Sequence, residues 1–394
     1  MKKIFIAIFS VSLALLLGAC EKPLGDKTDL SFIDVPVYDM EVIAFVPIQP
    51  AIKELVYPTD LMIGFDELLY VADQGANRIV CFDQSGKKLG SFTVPGVKAI
   101  AQNRSMEIIA IGTRDTVISG NMYKLDAIYR LSLQGGGGYG IQNAVIKKVI
   151  THPFYYTTAF TSSDSSVHLN RVSIMADNSY YITRSGSSSG IPFDDVLVFN
   201  QSDKFITTVS VTTESGLISD YFHGPFAITT LSKPPQSPNV KRGGDFIFTS
   251  LSPQTAIRAQ YITFETSEFG SSYYLNTSLA GSDTSKAEGF IYTPNRFSRP
   301  MGATIAGDGT NYIFVTDAQK DSVYLFTLTG LEGVQPPAGN SSTKNIKVSF
   351  GGTGAGPKQF NKPMAVAYHN KVLYVCDAGN GRITRFKLTL DFRN

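Results

Sequence analysis

A strand pattern that returns six times constrains this chain more than any other feature. Each copy is an apolar run, a short turn, a second apolar run ending in Asp or Arg, a polar turn, and a third apolar run. The clearest copy spans 362–368, 371–377 and 381–386; a second spans 57–63, 68–73 and 77–82, and a third 299–306, 312–317 and 322–326. Weaker copies start at Val97, Val172 and Phe226, with second runs at 107–111, 179–183 and 245–249. The runs are short, rich in Val, Ile, Tyr and Phe, and bounded by Gly, Asn and Asp, as strands and tight turns are. No long segment of helical period competes after Cys20, so an all-β repeat fold is expected. A repeat architecture also suits 394 residues with 43% apolar and 17% charged side chains, a length beyond one ordinary domain and a composition able to build a sizeable core.

The first twenty residues read as an export signal. Lys2 and Lys3 give a positive start, and 4–17 form an apolar stretch interrupted only by Ser10 and Ser12. A bilayer span needs about 20 apolar residues and a signal h-region about 7–15, so the stretch suits a signal peptide. It runs into Leu17-Gly18-Ala19-Cys20, which resembles the lipobox of bacterial lipoproteins, where cleavage precedes a cysteine whose thiol takes a diacylglycerol. An ordinary signal peptide with a chance cysteine is the alternative. Residues 1–19 are therefore expected to be removed and Cys20 to be lipidated. Residues 20–38, with Pro23, Gly25, Pro36 and interspersed charges, read as a tether, and 39–394 as the folded domain. Multiple acyl chains would anchor it stably, placing the protein in the cell envelope, at the outer membrane.

The formal net charge is only +2 and no Lys/Arg run occurs, so the electrostatic term that drives nucleic-acid binding is missing. Of three cysteines, Cys81 and Cys376 fall in strand-like runs at different repeat positions, which favours buried thiols over a disulfide. A monomer without a cofactor is expected.

Residues 350–386 carry Phe350-Gly351, Gly356, Gln359-Phe360, Pro363, Tyr374-Val375, Asp377, Asn380 and Arg382-Ile383. This arrangement resembles the NHL repeat. The copy at 58–82 shares Asp73 and Arg78-Ile79 but has Ala76 where Asn is expected, and the copy from Pro300 keeps Asp317 but has Lys320 and Ser322 for the Asn and Arg. The middle three copies match only in strand pattern. The resemblance implies four-stranded blades around a channel, hence a six-bladed β-propeller. It implies no single function, because such propellers include binding scaffolds and a few metal-dependent lyases and hydrolases.

A ring must not leave its last blade short. Only eight residues follow Phe386, too few for a turn and a fourth strand, whereas 40–47 form a strand with no blade of its own. That N-terminal strand is expected to complete the last blade from outside and close the ring, removing exposed edges.

About 59 residues per blade exceed the roughly 40–50 of common propeller repeats, so the excess is expected in loops. Loops at 113–124, 152–170, 185–195 and 266–297 are placed on the face where inner strands begin, and one insertion at 232–244 on the other. Long loops on a rigid scaffold are where binding residues collect. Several are aromatic, with Phe154, Tyr155, Tyr156, Phe160, Tyr273, Tyr274, Tyr292 and Phe297; the alternative is that these rings only pack the loops down. Inner-strand entries bring Tyr57, Arg171, His223, Arg299 and Lys362 to the channel mouth, with His168 just outside. Cations and histidines at one mouth favour a carboxylate, phosphate or polar glycan. The competing reading is that Arg and Lys before Pro are how these repeats begin.

Catalysis has little support. The four histidines, His152, His168, His223 and His369, show no paired metal spacing, and His369 is placed in a turn on the opposite face. Residues 135–138 lack the Lys-Ser/Thr of a phosphate loop and read as a flexible turn. Asp73, Asp317 and Asp377, with Arg78, Asn380 and Arg382, read as structural groups, the aspartates capping backbone N–H groups of the loop between second and third strands. A lipid-anchored module binding a protein or glycan through its looped face is the reading favoured by the residues. A lyase or hydrolase with a cross-blade metal, and a purely structural envelope component, are the alternatives.

Overall fold

The computed structural model describes residues 42–152, 159–231, 243–268 and 270–392, so the expected signal peptide, Cys20 and the tether lie outside the described residues. Strand formation follows the apolar runs. Blade 1 is Pro58–Ile63, Leu69–Asp73, Arg78–Phe82 and Lys88–Thr93, and blade 2 is Ala99–Gln102, Glu107–Ile118, Asn121–Ser132 and Val145–Thr151. Blade 3 is His168–Ile174, Tyr180–Ser185, Asp195–Phe199 and Phe205–Thr208. Blade 4 is Pro225–Thr230, Phe246–Ser250, Ala259–Ser267 and Gly270–Leu275, extended outward by Val211–Thr213 and Gly216–Ile218. Blade 5 is Pro300–Ile305, Ile313–Asp317, Ser322–Phe326 and the short Phe350–Gly351. Blade 6 is Pro363–His369, Val372–Asp377, Arg382–Leu388 and, from the other end of the chain, Phe45–Ile52.

The ring closes as expected, by an antiparallel ladder from Phe45↔Leu388 to Ile48↔Arg385, resuming at Ile52↔Ile383. The closing strand starts later than expected and runs through Pro47 and Pro50. Prolines donate no ladder hydrogen bond, and an outermost strand can carry them where a central one cannot.

Alternation explains why the strands read as continuous apolar runs. Strand side chains point alternately to opposite faces, and both faces of a blade are covered by neighbours. In blade 1, Leu69 and Val71 pack toward blade 6 with Ala365, Tyr374, Cys376 and Ile383, whereas Tyr70 and Ala72 pack toward blade 2 with Ile100, Ile108 and Ala127. The core is thus six layers, one between each pair of neighbours, and the layer joining blades 6 and 1 makes the circle complete. Near the axis inner strands approach closely: a side chain at Gly302 of blade 5 would meet the Ala365 Cα of blade 6 at 2.6 Å. Cys81 and Cys376 are free and buried, and burial pushes the Cys81 thiol up to about 12.

Candidate functional site

Antiparallel strands put successive turns at opposite ends of a blade. One end, the entry face, gathers the starts of the inner strands and the turns between second and third strands; the other, the turn face, gathers the turns between first and second strands.

On the entry face three aspartates order the strand starts. Asp73 takes the N–H groups of Val56 and Tyr57 on Oδ1 at 2.9 and 3.0 Å, while Arg78 Nε donates to Oδ2 at 3.0 Å. Asp377 takes Asn361 N–H at 2.7 Å, and Asn380 Nδ2 and Arg382 Nε each donate to its Oδ2 at 2.8 Å. Asp317 takes Ser298 and Arg299 N–H and, in its own turn, those of Gln319 and Lys320. All three carboxylates are fully buried. Their backbone partners are expected in the turn after the second strand; Asp73 and Asp377 instead hold the entry to their blade's inner strand, because the antiparallel pairs Pro58↔Asp73 and Pro363↔Asp377 bring the two ends together.

The residues expected at the channel mouth separate. His168, His223, Arg299 and Lys362 are exposed and Tyr57 is half-buried. Arg171 is buried rather than at the rim. In blade 3 the ladder jumps from Leu169↔Arg184 to Val172↔Ile182, a bulge that turns the Arg171 side chain inward. Its guanidinium crosses the channel, donating to the carbonyls of Thr59 at 2.7 Å, Lys98 at 3.0 Å, Asn170 at 3.3 Å and Met364 at 3.4 Å, and lies 4.7 Å from the Phe226 ring centroid. One side chain therefore ties blades 1, 2, 3, 4 and 6 together. Burial lowers its pKa, and the charge of Asp60 opposes that shift. The channel space beside it, lined by Asp60, Ile100, Ala227, Gly302 and Ala365 among others, amounts to about 50 Å³. That is room for a few waters and not for a sugar or nucleotide.

His168 sits beside a buried carboxylate. Asp126 accepts from Lys98 Nζ and Leu169 N–H, both at 2.7 Å, with His168 Nδ1 3.6 Å away. Burial works to raise the Asp126 carboxyl, but His168 and Lys98 outweigh it and hold it below the usual range. Among the described residues no three of His, Cys, Asp and Glu converge as a metal ion would need. His152 is fully buried, its Nε2 3.2 Å from the Asp164 carbonyl, and burial lowers its pKa to about 4.

Two of the expected loops are hairpins. Glu107–Ile118 pairs with Asn121–Ser132 along its whole length, so 113–124 is a stiff projection. Its turn is Ser119-Gly120, both at positive φ, as two-residue hairpins favour. The tip exposes Val117 at 64% and Met122 at 71%, and on blade 3 the small hairpin Ser187–Ser188 with Ile191–Pro192 exposes Ile191 at 62%. The stretch 266–297 also divides: its start belongs to the strands Ala259–Ser267 and Gly270–Leu275, whose turn is on the turn face, and only the rest crosses the entry face. Of the expected aromatic loop residues, Phe154, Tyr155 and Tyr156 lie outside the described residues, as does most of 232–244. Tyr292 and Phe297 are buried in the layer between blades 4 and 5, while Phe160 packs edge-on against Tyr123 of the long hairpin at 4.9 Å.

The larger opening is on the turn face. Glu67 of blade 1, Gly307 and Asp308 of blade 5, and Tyr368, His369, Asn370 and Lys371 of blade 6 line about 500 Å³, within the range of ligand pockets. Tyr368 lines both this pocket and the channel. No single motif announces the pocket, because it is assembled from turns far apart in the chain.

No protein-family profile and no curated protein matches this sequence. Solved structures do. A structural-genomics protein of unknown function from Bacteroides thetaiotaomicron is 11% identical over 88% of this chain and 76% of its own, with a TM-score of 0.52. An auxiliary nutrient binding protein from Bacteroides ovatus is 11% identical over 88% and 77%, with a TM-score of 0.50. A luciferin-regenerating enzyme is 12% identical over 88% and 95%, also at 0.50. The shared property is the propeller. Binding proteins and enzymes both occur among these structures, so the likeness speaks for the fold.

Proposed function

We propose that this chain is a non-catalytic binding propeller of NHL-like type, exported, cut before Cys20 and held by its lipid at the outer membrane, which engages a protein or glycan partner through the entry face. The observation that carries the reading is the pair of projecting hairpins on blades 2 and 3, with Val117, Met122 and Ile191 exposed on their tips. Large apolar side chains held out on stiff hairpins serve no core, and grouped exposed apolar surface marks interaction sites. A nutrient-binding propeller among the similar structures accords with a binding role. With its channel crossed by Arg171, the entry face offers a surface rather than a deep pocket, which suits a macromolecular partner better than a small molecule. His168, Arg299, Lys362, His223 and Tyr57 then form a polar surround.

The test screens the purified protein against envelope polysaccharides and envelope protein fractions, then repeats any hit with Val117→Ser, Met122→Ser and Ile191→Ser combined. The expected result is a hit whose affinity falls at least about tenfold in the variant, since burial of three such side chains is worth several kcal/mol. A hit unaffected by the variant contradicts the reading. Metabolic labelling with palmitate is expected to mark the wild type and not Cys20→Ser.

A further inference from the structure

We infer that the pocket on the turn face is a second binding site, for a small organic cation, a hydroxylated amine of about amino-sugar size. It lies on the opposite side of the ring from the projecting hairpins, and its argument is independent of theirs. The size is suitable, about 500 Å³.

Charge selects the ligand. Two carboxylates, Glu67 and Asp308, line the pocket from different blades. The one lysine of the lining, Lys371, has its ammonium 3.4 Å from the Asp391 carboxylate and is thereby offset. His369 adds no charge at neutral pH, because burial lowers its pKa, an effect that the Glu67 charge only partly opposes; its Nε2 lies 3.4 Å from Gln84 Nε2. The pocket is therefore net negative.

The wall is fixed in advance. The Tyr368 hydroxyl donates to Asp308 Oδ2 at 2.9 Å, and its ring stacks on Phe314 at 5.2 Å. Asp308 Oδ1 also accepts the Thr310 N–H at 3.1 Å, so this carboxylate cannot swing away. Asn370 and Lys371 form a two-residue hairpin turn with φ of 48° and 63°. Glycine is the common residue at the second position of such a turn, yet lysine occupies it here and reaches Asp391. An ammonium ion between Glu67 and Asp308, with ring hydroxyls facing Asn370 and His369, would gain charge-assisted hydrogen bonds from groups already held in place.

Calorimetric titration of the full-length protein with glucosamine, and separately with glucose, tests this. The two sugars differ in one group, ammonium against hydroxyl. The expected result is saturable binding of glucosamine below about 10 mM and at least tenfold weaker binding of glucose. Glu67→Gln and Asp308→Asn, which keep size and hydrogen-bonding capacity, are each expected to weaken glucosamine at least about fivefold. The hairpin-tip variant is expected to leave it unchanged, so failure here and failure of the entry-face reading can be told apart. Absence of glucosamine binding, equal binding of both sugars, or indifference to both carboxylate variants overturns the proposal.

Discussion

Blades 5, 6 and 1, which flank the closure, fix their strand entries differently from blades 3 and 4. In the first group each second strand ends in a fully buried aspartate that holds N–H groups at the start of its own blade, and at blade 6 Asp321 of blade 5 adds a second hold, on the Lys362 N–H at 2.8 Å. In the second, the carboxylate comes from the blade before: Asp126 of blade 2 takes Leu169 N–H of blade 3, and Asp194 of blade 3 takes Gly224 N–H of blade 4 at 2.6 Å. Blade 4 has Ser250 at the position of the aspartate, donating to the His223 carbonyl. The blades with an aspartate of their own keep short turns between second and third strands. The blades that borrow a partner stand beside or carry the hairpins that project from the entry face. One half of the ring secures closure, and the other is freed to vary its surface.

The largest effect separating the halves is expected at Asp377. Asp377→Ala strands the Asn361 N–H and the buried end of Arg382, and removing one partner of a buried ion pair typically costs about 3–5 kcal/mol. Urea unfolding should show that loss, and a cost below about 1 kcal/mol would erase the distinction.

Next comes acid sensitivity in the other half, from His152. Its folded pKa of about 4 lies below the unfolded value of about 6.5. The unfolded chain thus binds the proton first, and stability falls as pH drops from about 6.5 to about 4, by roughly 3 kcal/mol from this group. His152→Gln should flatten the wild-type decline over that window, whereas an equal decline in both proteins would mean that His152 is not the group responsible.

Asp194→Ala should cost less, about 1–2 kcal/mol, because the half-buried carboxylate loses its hydrogen bonds from the Gly186 and Gly224 N–H groups without stranding an ion. A loss as large as at Asp377 would make the two devices equivalent. Smallest of all, Val117→Ser with Met122→Ser should change stability by no more than about 0.5 kcal/mol, since neither side chain packs in the core. A larger change would show that the tip is structural.

The same division marks what was legible in the sequence. Asp73, Asp317 and Asp377 stand at a fixed place in a local pattern, so their blades could be read directly, and the layered core followed from apolar runs buried on both faces. Asp126 and Asp194 were not legible, because their partners lie in other blades and depend on register. The hairpin at 107–132 carries a usable signal, Ser119-Gly120 between alternating strands, inside a stretch whose tip is expected to be loop. Arg171 is expected at the channel rim and instead lies buried across the channel, since a bulge is not visible in a run such as His168–Ile174. The turn-face pocket has no local signature, although the expected position of His369, in a turn on that face, agrees with the structure.

Everything rests on the ring being sealed by its two ends. Native-state hydrogen exchange followed by peptide mass spectrometry tests this most directly. Amides of Phe45–Ile52 that face Arg382–Leu388 should be protected to nearly the same degree as those of Val372–Asp377, because they belong to one cooperative blade. Rapid exchange throughout 45–52 alongside a protected Val372–Asp377 would contradict the closure, and with it the arrangement of both faces.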